Sequence, residues 1–331
     1  MNSVNVIGTG SWGLALANLV AKVNKKTVIW GRNEDIITEI NKHHSCKKYL
    51  PNVQLENTIK ATSDLKLAID AEVLLLVIPV QAMRSICLKL AELNLSKEKY
   101  LVLCAKGIEE SSLLLVSEIV ADILPEHKNI IILSGPNLAK EVALKKPSAT
   151  TIACSDIKIA EKVAKLLAAP EFRPYLSNDI VGTQLCGAVK NVLAIACGIA
   201  KGRNLSENTS ALLVTRGLVE ISRLIMARGG NAKTVMGLCG IGDIVLTCSS
   251  FQSRNHLFGI SIGKGKSLAA ALLEQKGVVE GAYTTQAVHH LSKQLNIEMP
   301  ICDAVYKILY ARENIEKVID GLLSREIKYE L

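Results

Sequence analysis

The glycine pattern near the start of the chain, Gly8-Thr9-Gly10-Ser11-Trp12-Gly13, constrains the fold more than any other feature. It follows an apolar run and opens an Ala- and Leu-rich segment, Leu14 to Val23. Glycines spaced as G-x-G-x-x-G are common by themselves. Between a strand and a helix, however, they let backbone N–H groups and a helix N-terminus approach a pyrophosphate. The context predicts a dinucleotide-binding fold with Gly8, Gly10 and Gly13 at the cofactor, and a glycine-rich turn without a ligand is the alternative.

Short apolar runs alternate with helix-compatible segments through the first half of the chain. They are rich in Val, Ile and Leu, which is typical of strands buried on both faces of a mostly parallel sheet. The runs are Val4–Ile7, Thr27–Trp30, Ile59–Thr62, Val73–Ile78, Tyr100–Cys104, Ile130–Leu133 and Ala149–Ala153.

After about Asn178 the apolar pattern takes a helical period and β-branched clusters become rare. The predicted helices include Asp179–Ala200, Glu207–Arg228, Leu268–Lys276 and Thr284–Leu295. We therefore expect an α/β Rossmann-like domain with a mostly parallel sheet at 1–178, followed by an all-α domain at 179–331. A length of 331 residues, about twice that of a usual domain, agrees with two domains.

Composition excludes several classes of protein. Hydrophobic residues make up 49% and charged residues 21%, a balance opposite to that of disordered chains. Aromatic residues are only 4% and the net charge of +8 is scattered in pairs such as Lys145-Lys146. A platform for stacking bases is therefore hard to assemble, and no nucleic-acid partner is expected.

The cysteines and the apolar runs predict the compartment. The nine cysteines form no C-x-x-C pair and mostly lie in apolar runs, as expected for reduced core residues of a cytosolic protein. The chain begins without a basic, apolar leader, and its longest clean apolar stretch, Val73–Val80, is far shorter than the roughly 20 residues that span a bilayer. We expect a cytoplasmic protein without membrane insertion.

The residue after the second strand bears on which dinucleotide is bound. NAD-binding folds usually place an acidic residue about 20 positions after the glycines, where it binds the ribose 2′-hydroxyl. Here that place holds Trp30-Gly31-Arg32-Asn33. An arginine can bind a 2′-phosphate that a carboxylate would repel, so the sequence favours NADP with NADPH preferred. Arg32 as a solvated loop residue is the alternative, and the nearby Glu34 keeps NAD possible.

One predicted helix carries an unusual charge. The segment Gly182–Gly202 is apolar or small nearly all round, except for Lys190 and Asn191. A buried ammonium is costly unless it is paired or used, and burial can lower its pKa toward the range useful for proton transfer. Lys190 is therefore a candidate proton donor, whereas a lysine that extends to the surface is the alternative.

Further polar candidates lie at strand ends and helix starts. Lys106 follows the strand Tyr100–Cys104, and Gly135 and Asn137 follow Ile130–Leu133. Because ligands bind beyond the carboxyl ends of strands in open α/β sheets, both loops should face the cofactor crevice, unless they are ordinary turns.

The helical half adds an acid and an anion-binding group. Asp243 is a candidate partner for a buried lysine, while Ser253-Arg254-Asn255 offers anion-binding groups or, alternatively, a solvated helix cap. The six histidines show no metal-ligand spacing, so no metal is expected.

Taken together, the motifs resemble the bacterial NAD(P)-dependent glycerol-3-phosphate dehydrogenase family along the whole chain. The similar segments are VIGTGSWGLALA, YLPNVQL, LVLCAKGIE, LSGPNLAKEV, GAVKNVLAIACGIAKG, LLVTRGL, GIGDIVLTCSSFQSRNHLFG and GVVEGAYTTQAV. The resemblance implies a Rossmann domain followed by an all-α domain. It also implies a homodimer that interconverts dihydroxyacetone phosphate and sn-glycerol 3-phosphate, the precursor for phospholipid synthesis.

The resemblance also assigns site residues. Those at the cofactor are Ser11, Trp12, Arg32, Lys106, Ala139, Arg254, Val278 and Glu280. Those around the substrate are Lys106, Gly135, Asn137, Lys190, Asp243, Ser253, Arg254 and Asn255. Lys190 is implied as the proton donor or acceptor, Lys106 as a group that polarises the substrate oxygen, and Asp243 as the partner of Lys190.

The chain departs from the family at Asn137-Leu138, where Ser or Thr followed by Phe is usual, which puts the substrate contact of Asn137 in question. Two other functions stay open. The first is another two-domain dehydrogenase of the β-hydroxyacid dehydrogenase or ketopantoate reductase type, which the phosphate anchor Ser253-Arg254-Asn255 would distinguish. The second is a nucleotide-sensing protein without turnover, against which the retention of Lys190 and Asp243 argues.

Overall fold

The computed structural model describes residues 3–22, 26–275, 277–327 and 329. It divides into two compact units. The first, here called the sheet unit, comprises Met1–Ala105 and Val116–Ile180. The second, here called the helical unit, comprises Lys106–Leu115 and Val181–Leu331. The predicted domains at 1–178 and 179–331 remain a prediction, and the units differ from them mainly in placing the short segment Lys106–Leu115 with the helices.

The sheet unit contains one sheet of eight strands among the described residues, in the order β3-β2-β1-β4-β5-β6-β7-β8. All neighbouring strands are parallel except β6 and β7. The strands are β1 (Val4–Ile7), β2 (Thr27–Trp30), β3 (Ile59–Thr62), β4 (Val73–Leu76), β5 (Tyr100–Leu103), β6 (Ile130–Ser134), β7 (Ser148–Ala153) and β8 (Phe172–Ser177). The predicted mostly parallel sheet is confirmed.

Helices connect these strands. They are α1 (Ser11–Ala21), α2 (Glu34–His43), α3 (Leu65–Ala68), α4 (Val80–Glu92), α5 (Val116–Ile123), α6 (Ala139–Ala143) and α7 (Ile157–Leu167). The first predicted helix, Leu14–Val23, corresponds to α1, and its last residue Val23 lies outside the described residues. The strand β1 is completely buried, and α1 is buried from Gly13 onward, so the glycine turn between them is built into the core.

The strand β8 was not predicted. Its sequence, Phe-Arg-Pro-Tyr-Leu-Ser, lacks a buried aliphatic run and contains Pro174. Proline cannot donate a ladder hydrogen bond and is therefore confined largely to edge strands. The position of β8 at the end of the strand order explains both its composition and its half-exposed pattern.

In the helical unit, every regular element in the described residues is a helix, as predicted. The α-helices are α8 (Ile180–Gly202), α9 (Glu207–Ala227), α10 (Asp243–Ser249), α11 (Arg254–Gly263), α12 (Leu268–Leu273), α13 (Glu280–Gln294), α14 (Pro300–Leu309) and α15 (Ile315–Leu323). A 3₁₀ helix at Ala232–Met236 and a π-helical turn at Leu238–Gly242 precede α10. The helix predicted at Leu268–Lys276 ends at Leu273, and Lys276 lies outside the described residues.

The core of the helical unit is built around α8, which is buried from Gly182 to Ala200. This is the one helix of the described residues that is long and apolar enough to cross a membrane, and 89% of its most apolar 18-residue window is buried inside the fold. Burial on all sides is typical of a core helix.

Glycines bring α11 unusually close to α8. A Cβ at Gly198 would lie 2.2 Å from the His256 carbonyl oxygen, and one at Gly259 would lie 2.3 Å from the Ile195 carbonyl oxygen. Only glycine fits at such a crossing, since the atoms in conflict are backbone atoms that cannot rotate away. The contact fixes the start of α11, which carries Arg254 and Asn255, relative to α8, which carries Lys190.

Candidate active site

The glycine turn of the sheet unit has the geometry expected of a dinucleotide site. Gly8 has a φ of +128°, and a Cβ there would lie 2.2 Å from the Val77 carbonyl oxygen. At Gly13 a Cβ would lie 1.9 Å from the Gly8 carbonyl oxygen, whereas at Gly10 it would meet no described atom within 4 Å. The turn is thus tightly packed on its inner side and open at Gly10. The N-terminus of α1 has no side-chain cap, so its N–H groups suit a pyrophosphate.

The other predicted cofactor residues of the sheet unit surround this turn. Ser11 donates its hydroxyl hydrogen to the Tyr49 carbonyl oxygen at 2.7 Å, and Trp12 packs half-buried on the core. Arg32 is exposed just beyond β2, and a Cβ at the adjacent Gly31 would lie 2.4 Å from Thr9 Oγ1. The end of β2 therefore touches the glycine turn, which places Arg32 where a residue that binds the ribose of the cofactor belongs.

The loop after β6 positions Asn137 through its amide nitrogen. Asn137 Nδ2 donates to the Ala149 carbonyl oxygen at 2.9 Å. In the described part of the chain its Oδ1 is buried without a hydrogen-bond partner. Position 137 therefore carries a buried acceptor oxygen where the family usually has a hydroxyl. Gly135 lies close to Thr150, and Ala139 begins α6 half-buried against the core.

The helical unit brings the three predicted catalytic residues together. Lys190 Nζ donates to Asp243 Oδ1 at 2.6 Å, and Lys106 Nζ donates to Asp243 Oδ2 at 2.6 Å. Lys190 is 7% exposed and Asp243 is 1% exposed. A carboxylate between two ammonium groups satisfies both of its oxygens, which is what a buried charge requires.

Thr247 completes the arrangement around Lys190. Its Oγ1 accepts from Lys190 Nζ at 2.8 Å and donates to Asp243 Oδ1 at 3.2 Å. No feature of the sequence singles out this threonine, although it lies one helical turn after Asp243 on α10 and therefore on the same face. Two of the three Nζ hydrogens of Lys190 are thus engaged by described side chains.

Burial and neighbouring charges set the protonation of the pair. Burial lowers the pKa of Lys190 from 10.5 to about 8; Asp243 opposes this shift and Lys106 adds to it. Burial alone would raise the pKa of Asp243, but the charges of Lys106 and Lys190 outweigh it and hold that pKa below its usual value. Lys190 is therefore protonated at neutral pH and loses its proton just above it, as a general acid–base group requires.

A chain of amides links the neighbouring elements. Asn191 Nδ2 donates to the Lys106 carbonyl oxygen at 3.2 Å, and Asn255 Nδ2 donates to Asn191 Oδ1 at 2.9 Å. Asn255 Oδ1 in turn accepts from the Gly281 N–H at 3.0 Å. In the sequence, Asn191 is only one of the two exceptions on an otherwise apolar or small helix. The structure makes it the connection between Lys106, α11 and the start of α13.

The predicted anion anchor lies at the N-terminus of α11. Ser253 caps this helix by accepting from the His256 N–H at 3.2 Å, while Arg254 is exposed. Although the residue as a whole is exposed, partial burial of its guanidinium lowers the pKa of Arg254 and the charge of Glu280 opposes that shift, yet a guanidinium stays protonated at physiological pH. The backbone of Gly277 lies against Arg254, since a Cβ there would come 2.8 Å from Nη1. The loop with Val278 and Glu280 therefore passes beside Arg254.

All nine cysteines are buried free thiols. Within the described ranges no group of three His, Cys, Asp or Glu side chains is placed to hold a metal ion.

A dinucleotide fold followed by helices that hold a buried lysine–aspartate pair defines a nicotinamide-dependent dehydrogenase. Comparison with known proteins identifies the family. Residues 3–160 match the NAD-dependent glycerol-3-phosphate dehydrogenase N-terminus, and residues 179–320 match its C-terminus. The chain belongs to the NAD-dependent glycerol-3-phosphate dehydrogenase family.

Individual relatives agree. The chain is 44% identical to glycerol-3-phosphate dehydrogenase [NAD(P)+] of Carboxydothermus hydrogenoformans over 99% of this chain and 98% of that one. The crystal structure of glycerol-3-phosphate dehydrogenase from Coxiella burnetii matches with a TM-score of 0.92 at 35% identity, covering 98% of this chain and 99% of that one. A ketopantoate reductase from Ralstonia eutropha shares the fold alone, with a TM-score of 0.62 at 13% identity, covering 97% of this chain and 99% of that one.

Proposed function

We propose that this chain reduces dihydroxyacetone phosphate to sn-glycerol 3-phosphate, reversibly, with NADPH or NADH. The balanced reaction consumes one reduced nicotinamide and one proton, and yields the alcohol and the oxidised nicotinamide. Its product is a precursor for glycerophospholipids. The observation that carries the proposal is the Lys190–Asp243–Lys106 cluster, in which the described side chains engage two Nζ hydrogens of Lys190 and the third can bind a substrate oxygen.

The glycine turn and Arg32 fit the adenosine and pyrophosphate parts of the cofactor, because the turn is open at Gly10 and Arg32 lies beside it. Ser11, Trp12, Ala139, Arg254, Val278 and Glu280 remain predicted cofactor contacts. When bound, the reduced nicotinamide supplies the two electrons that the carbonyl carbon takes up.

Lys190 supplies the proton. As the carbonyl carbon is reduced, negative charge develops on the substrate oxygen, and the Lys190 ammonium neutralises that charge by donating a proton. Lys106 polarises the same oxygen, while Asp243 fixes both ammonium groups and stays ionised. In the reverse direction the neutral amine of Lys190 accepts the proton. A pKa of about 8 makes both forms available near neutral pH.

Arg254 and Asn255 anchor the phosphate of the substrate. The exposed guanidinium offers two parallel N–H groups to a phosphate, and Ser253 holds the start of α11 in place. Binding energy at the phosphate then orients the reacting carbon. Gly135 and Asn137 remain predicted substrate contacts.

The test offers the purified protein dihydroxyacetone phosphate with NADPH and, separately, with NADH, and follows the loss of reduced-nicotinamide absorbance. We expect oxidation that depends on the phosphate ester, with NADPH used better than NADH. Ketopantoate serves as the control substrate and should not be reduced. Oxidation with ketopantoate but not with dihydroxyacetone phosphate would contradict the proposal, as would binding of NADPH without any turnover. A homodimer in the cytoplasm remains a prediction, which sedimentation and cell fractionation would check.

A further inference from the structure

The segment Lys106–Leu115, which carries one catalytic lysine, is a small closed loop held inside the helical unit. Ile108 and Leu115 form an antiparallel bridge, and both are 0% exposed in the core of that unit. The Leu113 N–H donates to the Glu109 carbonyl oxygen at 2.9 Å, and the Glu109 N–H donates to the Leu114 carbonyl oxygen at 3.0 Å. The bridge braces the loop from Ile108 to Leu115, so contacts made by this loop limit how far Lys106, two residues before the bridge, can move.

Besides the Lys106–Asp243 ion pair to α10, side-chain contacts tie this loop to α8 and α13. At its start, Asn191 on α8 binds the Lys106 carbonyl oxygen. At the other side, Gln286 Nε2 on α13 donates to Glu110 Oε1 at 2.6 Å. Gln286 lies on the same helix whose first turn binds Asn255. A hydrogen bond to a carboxylate is shorter and about twice as strong as one between neutral groups.

We propose that Gln286 and Glu110 are positioning residues that hold the Lys106 ammonium on Asp243 and thereby set the charge around Lys190. The proposal rests on the proposed function, in which Lys190 exchanges the proton. Neither residue touches the substrate in this account. Both act by fixing the loop at Glu110, whereas Asn191 fixes it at the Lys106 carbonyl oxygen.

The expected consequence follows from the charges that face Lys190. Among the described residues these are the Asp243 carboxylate from α10 and the Lys106 ammonium from the loop, while the Cys248 thiol of α10, whose pKa is raised well above its ordinary value, stays neutral. The ammonium of Lys106 lowers the pKa of Lys190, because two like charges disfavour each other. If the loop loosens, the Lys106 charge spends less time on Asp243 and the pKa of Lys190 rises. Because reduction needs the protonated form of Lys190, the alkaline pH at which activity is lost should rise as well.

Four variants of the full-length protein separate the effect of the Gln286–Glu110 hydrogen bond from that of the Glu110 charge and from that of any substitution on α13. Gln286→Leu and Glu110→Ala each remove the hydrogen bond, from opposite sides. Glu110→Gln removes the charge but keeps an oxygen that can accept from Gln286. Gln294→Leu is the matched control, because Gln294 is an exposed glutamine at the end of the same helix.

Two measurements are made on each variant. The first is the pH dependence of kcat/KM for dihydroxyacetone phosphate reduction, which reports the pKa of the free enzyme's proton donor. The second is the NMR titration of lysine labelled with ¹³C at Cε, with the Lys190 signal assigned by Lys190→Met. The titration needs no turnover. If the wild type fails to reduce dihydroxyacetone phosphate, the proposed function fails, while the titration still tests the positioning.

In Gln286→Leu and Glu110→Ala we expect the Lys190 titration and the alkaline limb of kcat/KM to move up together by about half a pH unit. We expect kcat/KM to fall roughly tenfold, the size of the loss of one charge-assisted hydrogen bond. Gln294→Leu should match the wild type in both measurements, and Glu110→Gln, which keeps a weaker neutral hydrogen bond, should shift clearly less than Glu110→Ala. If Gln286→Leu fails to fold, Glu110→Ala gives the same test.

Two results would overturn the proposal. One is a fall in activity or melting temperature of the bond-breaking variants with an unmoved Lys190 titration, which indicates a purely structural contact. The other is an equal shift in Glu110→Gln and Glu110→Ala, which would assign the effect to the charge of Glu110 rather than to its bond with Gln286.

Discussion

Replacing the buried Glu220 with glutamine should change the stability of the helical unit in a way that depends on pH. Glu220 on α9 is 2% exposed. Its Oε1 accepts from the Ile301 N–H at 2.7 Å and its Oε2 from the Cys302 N–H at 3.2 Å, so the side chain binds the N-terminus of α14. Burial raises the pKa of Glu220 from 4.5 to about 7, although these N–H groups oppose the shift.

The sign of the effect follows from this raised pKa. Between pH 4.5 and about 7 the folded protein binds a proton that the unfolded chain has lost. The stability contributed by the proton on Glu220 is therefore complete below pH 4.5 and is lost as pH rises through 7. At 1.36 kcal/mol for each pKa unit, the total is about 3 kcal/mol, most of it lost between about pH 5 and pH 8. Glutamine stays neutral throughout and loses none of it.

Urea unfolding at about pH 5 and pH 8, followed by far-UV circular dichroism, measures the difference. Circular dichroism is the suitable probe because both tryptophans, Trp12 and Trp30, lie outside the helical unit. The free energy of unfolding of Glu220→Gln relative to wild type should rise by about 2 to 3 kcal/mol from the lower to the higher pH. The exposed Glu313→Gln, in the same unit, is the control and should show no such rise. An equal effect of Glu220→Gln at both pH values would refute the reasoning.

Three further changes test the cofactor site, the phosphate anchor and the packing of the helices. Arg32→Glu should reverse the preference for NADPH over NADH in initial-rate assays, since a carboxylate repels a 2′-phosphate; an unchanged ratio would mean that Arg32 does not bind it. Arg254→Ala should weaken dihydroxyacetone phosphate by about 2 kcal/mol, the low end for truncating one partner of a charge pair, because the side chain begins exposed. Unphosphorylated dihydroxyacetone should barely respond, whereas an equal loss on both substrates would assign Arg254 to the fold or the cofactor. Gly259→Ala places a Cβ 2.3 Å from the Ile195 carbonyl oxygen and should lower the free energy of unfolding by about 1 to 2 kcal/mol, after subtracting the gain in helix propensity. Gly321→Ala, where a Cβ would meet no described atom within 4 Å, should instead be neutral or slightly stabilising in the same urea titration.

The sheet could be predicted because its central strands are nearly continuous aliphatic runs, as in β1 and β4. Such runs follow from burial on both faces. The edge strand β8 could not be predicted, because half-exposed positions and Pro174 remove the periodic signal. The sequence alone does not place the short loop Lys106–Leu115 with the helices, since only contacts distant in sequence, such as Lys106 with Asp243, group it there.

Site residues could be predicted from the sequence where a charged side chain stands among apolar neighbours. Lys190 is conspicuous as a charge on an apolar helix, and its partner Asp243 follows a glycine-rich turn. Thr247 is an ordinary helical threonine in the sequence, and only the distance of its hydroxyl from Lys190 shows its part. Asn191 likewise acquires its position in the amide chain only when α8, α11 and α13 pack together.

The central claim, that Lys190 donates the proton, is tested most directly by the kcat of Lys190→Met measured beside NADPH binding and thermal unfolding. Methionine keeps the aliphatic length on the buried helix, and Asp243 retains Lys106 at 2.6 Å, so the protein should fold and bind NADPH. The kcat for dihydroxyacetone phosphate reduction should fall by at least about 10² to 10⁴, the usual contribution of general acid–base catalysis. A folded, NADPH-binding variant that kept more than about a tenth of the wild-type kcat would contradict the assignment.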